Sequence, residues 1–519
     1  MKPPADHSGP YSRDFLPEAA LLTNTSSSSS SPPPQDKFRI AYLILYLQGV
    51  GCLFPWNAFI TKTDYYALAF RGSPYEGTFE SIITSSFTFL GLLTIIGLQH
   101  VQHLSTPRVR IIGALSLQLT VFLGIFAMSV APLGVEPAQL SDTLQSGATR
   151  TFVLTVIGVA LAGMSQAVLT GSLFSYAVVY DRPTYLQALS GGMGVAGLSV
   201  SLGSLVTTLP QTQTACADPD SPSSGPEFDH AVVVGAAVYF GLSCAVLLAC
   251  LLAFITLTRL PFTLECQQLA KERAAAAAAS ETSPAAEADA LSSVVAEADD
   301  DAAGGGSNLR SRRRSGAASA ASVRAPRRMR LMPHVWMWAA SLTLIYAVTL
   351  GLFPSLTSTI VSSTVGAAAC EWRGMFIPVG FILFNLGDTI GRNLPGVLTR
   401  ARVVLILVCF RVVFIPLFMM CNVKTSGGSI FAQPPLADDA WPLLIMAVFA
   451  LSNGWLTTCA LMHAPESVPP PERERAGSLM ICFLNGGLFV GSSLSFVVKA
   501  AMCGGCNPFV ADGGGNSTA

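Results

Sequence analysis

Charge is what this chain has least of. Asp, Glu, Lys and Arg make up 12% of its 519 residues, about half of the roughly 25% found in ordinary soluble domains. That shortage excludes a soluble globular protein. The first six apolar runs contain no acidic residue away from their ends. No Walker-type phosphate loop is present, which counts against coupling to ATP. His100, His103 and the other histidines are not set beside nucleophiles or metal ligands, so no catalytic residue, cofactor or metal is expected. The net charge is −1, and no nucleic-acid partner is expected. The first 35 residues lack the apolar stretch of a cleavable signal peptide and are rich in Ser and Pro.

The twelve cysteines are not organised. Most are scattered through apolar runs, Cys52, Cys244, Cys409 and Cys482 among them. There they read as small buried hydrophobes rather than a disulfide framework. Cys503-Gly-Gly-Cys506 is a close pair, but no His or second pair lies nearby to complete a metal site.

What is abundant is apolar surface. Hydrophobic residues reach 51% and the mean hydropathy is +0.52. A transmembrane helix needs about 20 apolar residues. Eleven candidates emerge: 38–60, 81–101, 110–132, 151–179, 184–209, 231–257, 336–361, 374–396, 402–421, 441–463 and 476–501. The fold class expected is therefore an all-α multi-pass membrane protein, six spans followed by five. An odd number of spans places the termini on opposite sides. Loops on the N-terminal side hold Arg108, Arg110, Arg182, the Arg-rich stretch 310–330, Arg400, Arg402, Arg473 and Arg475. The other side holds few basic residues, so the N-terminus is expected in the cytosol. The sequon at Asn516 falls outside, in agreement.

The expected organisation is a disordered cytosolic tail (1–37), a six-helix bundle (38–257), a disordered cytosolic linker (258–335), a five-helix bundle (336–501) and an outer tail (502–519). The linker holds an Ala run, an acidic cluster and a basic stretch, a composition that buries no core. Arg312-Arg313-Arg314-Ser315 has the pattern of a basophilic kinase site. The same charges also serve to hold the segment inside or to touch anionic membrane lipid.

The two halves echo each other. "GCLFPWNAF" in span one and "LGLFPSLTS" in span seven put Pro55 and Pro354 299 positions apart. Gly191-Gly192 and Gly486-Gly487 lie 295 apart. Parallel repeats of this kind are the architecture of major-facilitator carriers, with substrate held between the halves near mid-membrane.

Polar residues inside spans mark the candidate site. In "FILFNLGDTIGRNLPG", Asn385, Asp388 and Arg392 fall at i, i+3 and i+7, on one helix face. An ionisable residue in a span costs about 2.5–3.5 kcal/mol on insertion scales and turns inward. Asp388 and Arg392 offset each other, either as substrate contacts or as an ion pair locking spans eight and nine. Arg411 and Asn453 are further intramembrane polar residues, read as structural or gating groups. Span four adds Gln166, Thr170, Ser172 and Ser175. In span one, Pro55 is expected to kink the helix beside a cavity. A pocket of aromatics, amides and hydroxyls with one neutralised ion pair suits a neutral, planar, hydrogen-bonding solute. It suits a cation poorly, because a cation needs an unpaired carboxylate.

These residues carry a resemblance. "FPWNAFITKTDYY" (54–66), "FNLGDTIGR" (384–392), "RVVFIPLFMMCN" (411–422), "FALSNGW" (449–455) and, more loosely, "RERAGSLMICFLNGGLFVGSSLSF" (473–496) resemble the equilibrative nucleoside transporters. The likeness covers about 38 to 500 without the linker. It implies a six-plus-five bundle carrying nucleosides, or in some members nucleobases, down their gradients. It implies that Leu53, Trp56 and Asn57 form the pocket wall in span one, with Phe353 their counterpart in span seven. It implies that Asp388 and Arg392 hold the ribose hydroxyls. Two positions depart from the family pattern. Thr170 stands where Gln is frequent, and Met193 stands in a Gly-Gln-Gly. Both changes remove an amide able to read a base edge. The monoamine branch carries an acid near Met193, which this chain lacks. Three readings follow: a facilitative nucleoside carrier in the plasma membrane, a polyspecific organic-cation carrier of the same fold, and a non-transporting receptor or scaffold.

Overall fold

A computed structural model describes residues 35–71, 73–75, 79–217, 226–281, 328–366, 369–424, 431 and 433–502. The helices in chain order are α1 (Ile40–Thr61), α2 (Thr63–Ala69), α3 (Phe79–Val101), α4 (Pro107–Val130), α5 (Pro137–Ser146), α6 (Ala148–Ala177), α7 (Pro183–Ala217), α8 (Pro226–Leu257) and α9 (Pro261–Glu281). They continue with α10 (Arg328–Leu352), α11 (Ala369–Asn393), α12 (Ala401–Phe410), α13 (Phe414–Met419), α14 (Ala440–His463) and α15 (Arg473–Met502). Among the described residues there are no β-strands, only two isolated bridges, Ile360 to Val423 and Cys421 to Leu436. Five of these helices open on proline, whose missing N–H is surplus at the first helical position.

Among the described residues, eleven helices are long and apolar enough to cross a membrane. Each overlaps one of the eleven expected spans. Their outward faces carry Leu123, Ile157, Val238, Leu252, Ile406, Phe410 and Leu444, all exposed. That surface suits hydrocarbon, where only helices satisfy their backbone internally.

Span nine is not one helix. A 3-10 turn, Arg411–Val413, separates α12 from α13. Pro416 supplies the reason: it has no N–H for the carbonyl of Val412, and its ring crowds that carbonyl. The turn is where Arg411 leaves the helix surface for the interior. Pro55, by contrast, does not end its helix, since α1 continues to Thr61. Pro354 lies beyond the end of α10, so the two prolines of the echo are not in equivalent places.

The glycine echo holds at the second glycine of each pair. A Cβ on Gly192 of α7 would lie 1.9 Å from the Tyr46 carbonyl of α1, and one on Gly487 of α15 would lie 2.6 Å from the Thr343 carbonyl of α10. Span five thus packs on span one as span eleven packs on span seven, through glycine on backbone in both halves.

Two expectations need correction. Cys216 at the end of α7 and Cys370 at the start of α11 form a disulfide. Neither lies in the apolar centre of a span, which is why counting cysteines in apolar runs overlooked them. Residues 261–281 form α9 rather than unstructured linker. The Ala run read as low complexity consists of the strongest helix formers. Its first turns dock on the end of α6: Thr263 Oγ1 lies 3.1 Å from Tyr180 OH and Gln267 Nε2 donates to Tyr176 OH at 3.1 Å. Phe262 stacks on Tyr180 with ring centroids 5.6 Å apart. Ser315, Cys503, Cys506, Asn516, most of the expected N-terminal tail and most of the expected outer tail lie outside the described residues.

Candidate functional site

The site begins with close helix approach. Gly387, Gly391 and Gly454 bring α11 and α14 into backbone contact. A Cβ on Gly391 would sit 2.3 Å from the Leu451 carbonyl, and one on Gly454 would sit 2.1 Å from the Asp388 carbonyl. Glycine at i and i+4 is the small-residue pattern that lets helices touch in lipid. On its other side α11 meets α7 at Gly194 and Gly197, whose hydrogens face Thr389 and Asn385. α11 is therefore held between a helix of each half.

That placement assembles a buried polar chain. Arg392 Nε donates to Asp388 Oδ2 at 2.6 Å. Arg392 Nη1 donates to Ser190 Oγ and Nη2 to Tyr346 OH, each at 3.2 Å. Asn453 Nδ2 donates to the remaining Asp388 oxygen at 2.7 Å. Asn453 Oδ1 lies 2.7 Å from Thr349 Oγ1, and Arg411 Nη2 donates to that hydroxyl at 2.9 Å. Arg411 Nη1 donates to the Phe449 carbonyl at 2.8 Å and also pairs with Ser452. Its guanidinium lies 4.6 Å from the centroid of the Phe449 ring. Asp388, Arg392, Arg411 and Asn453 are all buried.

One carboxylate is thus paired directly with Arg392 and linked to Arg411 only through Asn453 and Thr349. Burying such charges is tolerable only when lone pairs and protons are satisfied. Both oxygens of Asp388 are engaged and all three donor nitrogens of Arg392 have partners. Two of those partners, Ser190 and Tyr346, are neutral hydroxyls. A hydroxyl on a bound solute can replace either without leaving a charge unpaired.

The remaining expected residues are placed separately. Trp56 stacks on Phe87, centroids 4.1 Å apart. Phe353 stacks on Phe384 at 3.9 Å and meets Phe381 edge-on at 5.0 Å. Asn385 turns toward α7, donating to Ser201 Oγ at 2.6 Å. Met193 and Thr170 are buried, while Leu53 and Asn57 are half-buried. The sequence reading missed Ser190, Tyr346, Thr349 and Ser452. Tyr346 and Thr349, three apart in the apolar run "LTLIYAVTLGL", were the available signal.

At the end carrying the arginines, polar groups join the halves. Asp181, left-handed at φ 51, pairs with Arg473 from the start of α15 and with Arg273 of α9. Gln187 Nε2 donates to the Leu394 carbonyl at 2.8 Å. At the other end Asp439 accepts from Ser362, Ser363, Thr364 and Trp372. Partial burial alone would raise its carboxyl, but these donors outweigh burial and hold it down at about 2.

Comparison with known proteins places the chain among carriers. The profile of the family described as nucleoside transporter matches residues 156–500. Equilibrative nucleoside transporter 1 of Mus musculus is 30% identical over 500 residues, covering 90% of this chain and 98% of that protein. The Homo sapiens protein of the same name is 28% identical over 499 residues with the same coverage. Among solved structures, the major-facilitator proton:xylose symporter XylE superposes with a TM-score of 0.52 at 12% identity, covering 92% of each chain. That likeness shows the fold.

Proposed function

The chain belongs to the nucleoside transporter family, and from this premise we propose that it is a facilitative carrier moving nucleosides across a membrane by alternating access. It is a transporter rather than an enzyme, as its relatives are named. The observation that carries the substrate assignment is the Arg392 guanidinium, fixed by Asp388 and aimed at the hydroxyls of Ser190 and Tyr346. Ribose offers hydroxyls of the same kind. Asp388 accepts from them and Arg392 donates to them, with charge-assisted strength. Trp56, Asn57, Leu53 and Phe353 form the wall along the base, with stacking on the order of 1 kcal/mol. Thr170 and Met193 contribute shape and a single hydroxyl rather than an amide. This favours tolerance among bases and leaves nucleobases as secondary substrates.

The charge balance argues against a cation as cargo. Asp388 is already neutralised by Arg392, and Arg411 adds a positive charge nearby. A receptor or scaffold would gain nothing from burying such a network between helices of both halves.

In the carrier, the halves rock about α11. Opening toward the arginine-bearing side separates Asp181 from Arg473. That side is the cytosol by its charge, and the plasma membrane is the proposed address. The test is uptake of radiolabelled uridine and adenosine into cells lacking endogenous carriers, at two external pH values, beside Asp388→Asn. Saturable uptake that ignores pH and is lost in the variant supports the assignment. Stimulation by acid would replace facilitation with proton coupling. Absent uptake by protein at the surface would overturn the nucleoside reading.

A further inference from the structure

Outside the polar chain, yet touching it, lies a cavity of about 330 Å³. Leu407, Phe410 and Leu417 of the ninth span form one wall, Ser452 and Trp455 of α14 the other, and Arg411 lies at the floor. Its volume is in the range of small-molecule sites. It opens on the outer apolar surface, where Phe410 is 67% and Val413 53% exposed. Its access is therefore from the bilayer, not from the aqueous path between the halves.

The floor is charged. Arg411 is 2% exposed. Its partners are the Phe449 carbonyl, Ser452, Thr349 and Asn453, none of them a carboxylate. Its Nε is buried without a hydrogen-bond partner among the described residues. An apolar cleft ending in a buried cation with an unused donor is complementary to one kind of ligand, an apolar body ending in an anion.

The bilayer supplies anions of two kinds. A phospholipid headgroup stays at the interface. Arg411 sits in the middle of the span Ala401–Met419, about 12–15 Å of helix from either end at 1.5 Å per residue. A headgroup does not reach that depth, whereas a free long-chain carboxylic acid can. We propose that this cleft is a membrane-accessible site for a lipophilic monocarboxylate, whose carboxylate pairs with Arg411. Arg411 is three hydrogen bonds from Asp388, through Thr349 and Asn453. A carboxylate at Arg411 draws the guanidinium from Ser452 and Thr349 and loosens Asn453 from Asp388. Occupancy slows turnover without occupying the substrate position.

The test uses purified full-length protein in nanodiscs and a diazirine-bearing long-chain fatty acid. Photolabel is expected on the peptides spanning 407–417 and 452–456, protected by excess oleate about 10-fold better than by methyl oleate, which lacks the charge. Val413→Trp, which places an indole at the cleft mouth, should remove the label, and Leu417→Trp should do the same from within. Label spread evenly over lipid-facing peptides, equal protection by acid and ester, or label persisting in both variants would overturn the proposal. Binding is read directly, so failure here is distinct from failure of the nucleoside assignment. Where uptake is measured, oleate should lower the maximal rate and leave KM unchanged in the wild type, with no effect in Val413→Trp. A rise in KM alone would place the acid in the substrate path and refute the lateral site.

Discussion

Asn453 donates to Asp388 at 2.7 Å and, with its other end, faces the Thr349 hydroxyl that Arg411 also engages. One amide therefore joins two buried guanidiniums through one carboxylate. Asn453→Leu should disconnect them. Leaving a buried acceptor unsatisfied costs about 1–3 kcal/mol. Lower thermal stability and non-additive effects with Arg411→Met are expected in a double-variant cycle. Additive effects would mean that the two residues do not communicate.

Arg392 is the residue on which substrate binding is proposed to turn. Arg392→Lys keeps the charge but loses the planar fork. Uptake should fall on the order of 10-fold or more while surface expression, measured by biotinylation, changes little. A parallel loss of expression would make the residue a structural one.

The contact between α11 and α14 depends on missing side chains. Gly454→Ala would set a methyl group 2.1 Å from the Asp388 carbonyl, which the backbone must move to admit. Expression and melting temperature should both fall. Gly380→Ala on the same α11 meets nothing within 4 Å and should be tolerated. Equal behaviour of the two would refute the packing argument.

Asp439 ties the chain between α10 and α11 to the start of α14. Its carboxyl is held at about 2 against an ordinary 3.8. A depressed carboxyl contributes stability above its unfolded value and loses it as pH falls through the folded one. Melting temperature should be insensitive to this group near neutrality and should decline between about 3.8 and about 2. Asp439→Asn should lower the neutral value and flatten that decline. An unchanged acid limb in the variant would exclude Asp439 as its source.

The Cys216–Cys370 bond closes a loop with a sequence separation of 154. In the chain-entropy account a loop of that size stabilises by at most about 5 kcal/mol. Cys370→Ser should lower the melting temperature by several degrees, read in detergent by fluorescence. Non-reducing peptide mapping should recover the two cysteines as one linked species. Recovery of both as free thiols would refute the bond.

Much of this was legible from residue types alone. Eleven spans, an arginine-rich side and an Asp–Arg pair one helical turn apart are local features, and local features survive reading one residue at a time. The partners of Arg392 were not legible in that way. Ser190 and Tyr346 come from α7 and α10, far from Arg392 along the chain, and an isolated hydroxyl in an apolar run has many uses. Trp56 and Phe353 were readable as aromatics, but their pairing with Phe87 and Phe384 is a matter of helix rotation. Cys216 and Cys370 depended on tertiary proximity, and α9 was hidden because alanine reads as low complexity and as helix alike.

The disulfide also changes what it means to cut this molecule. Peptide bonds join the halves only through the segment that contains α9 and residues 282–327. A protease acting there would sever the polypeptide and leave two fragments still covalently attached through Cys216 and Cys370. Such a nicked carrier would migrate as one species until reduced.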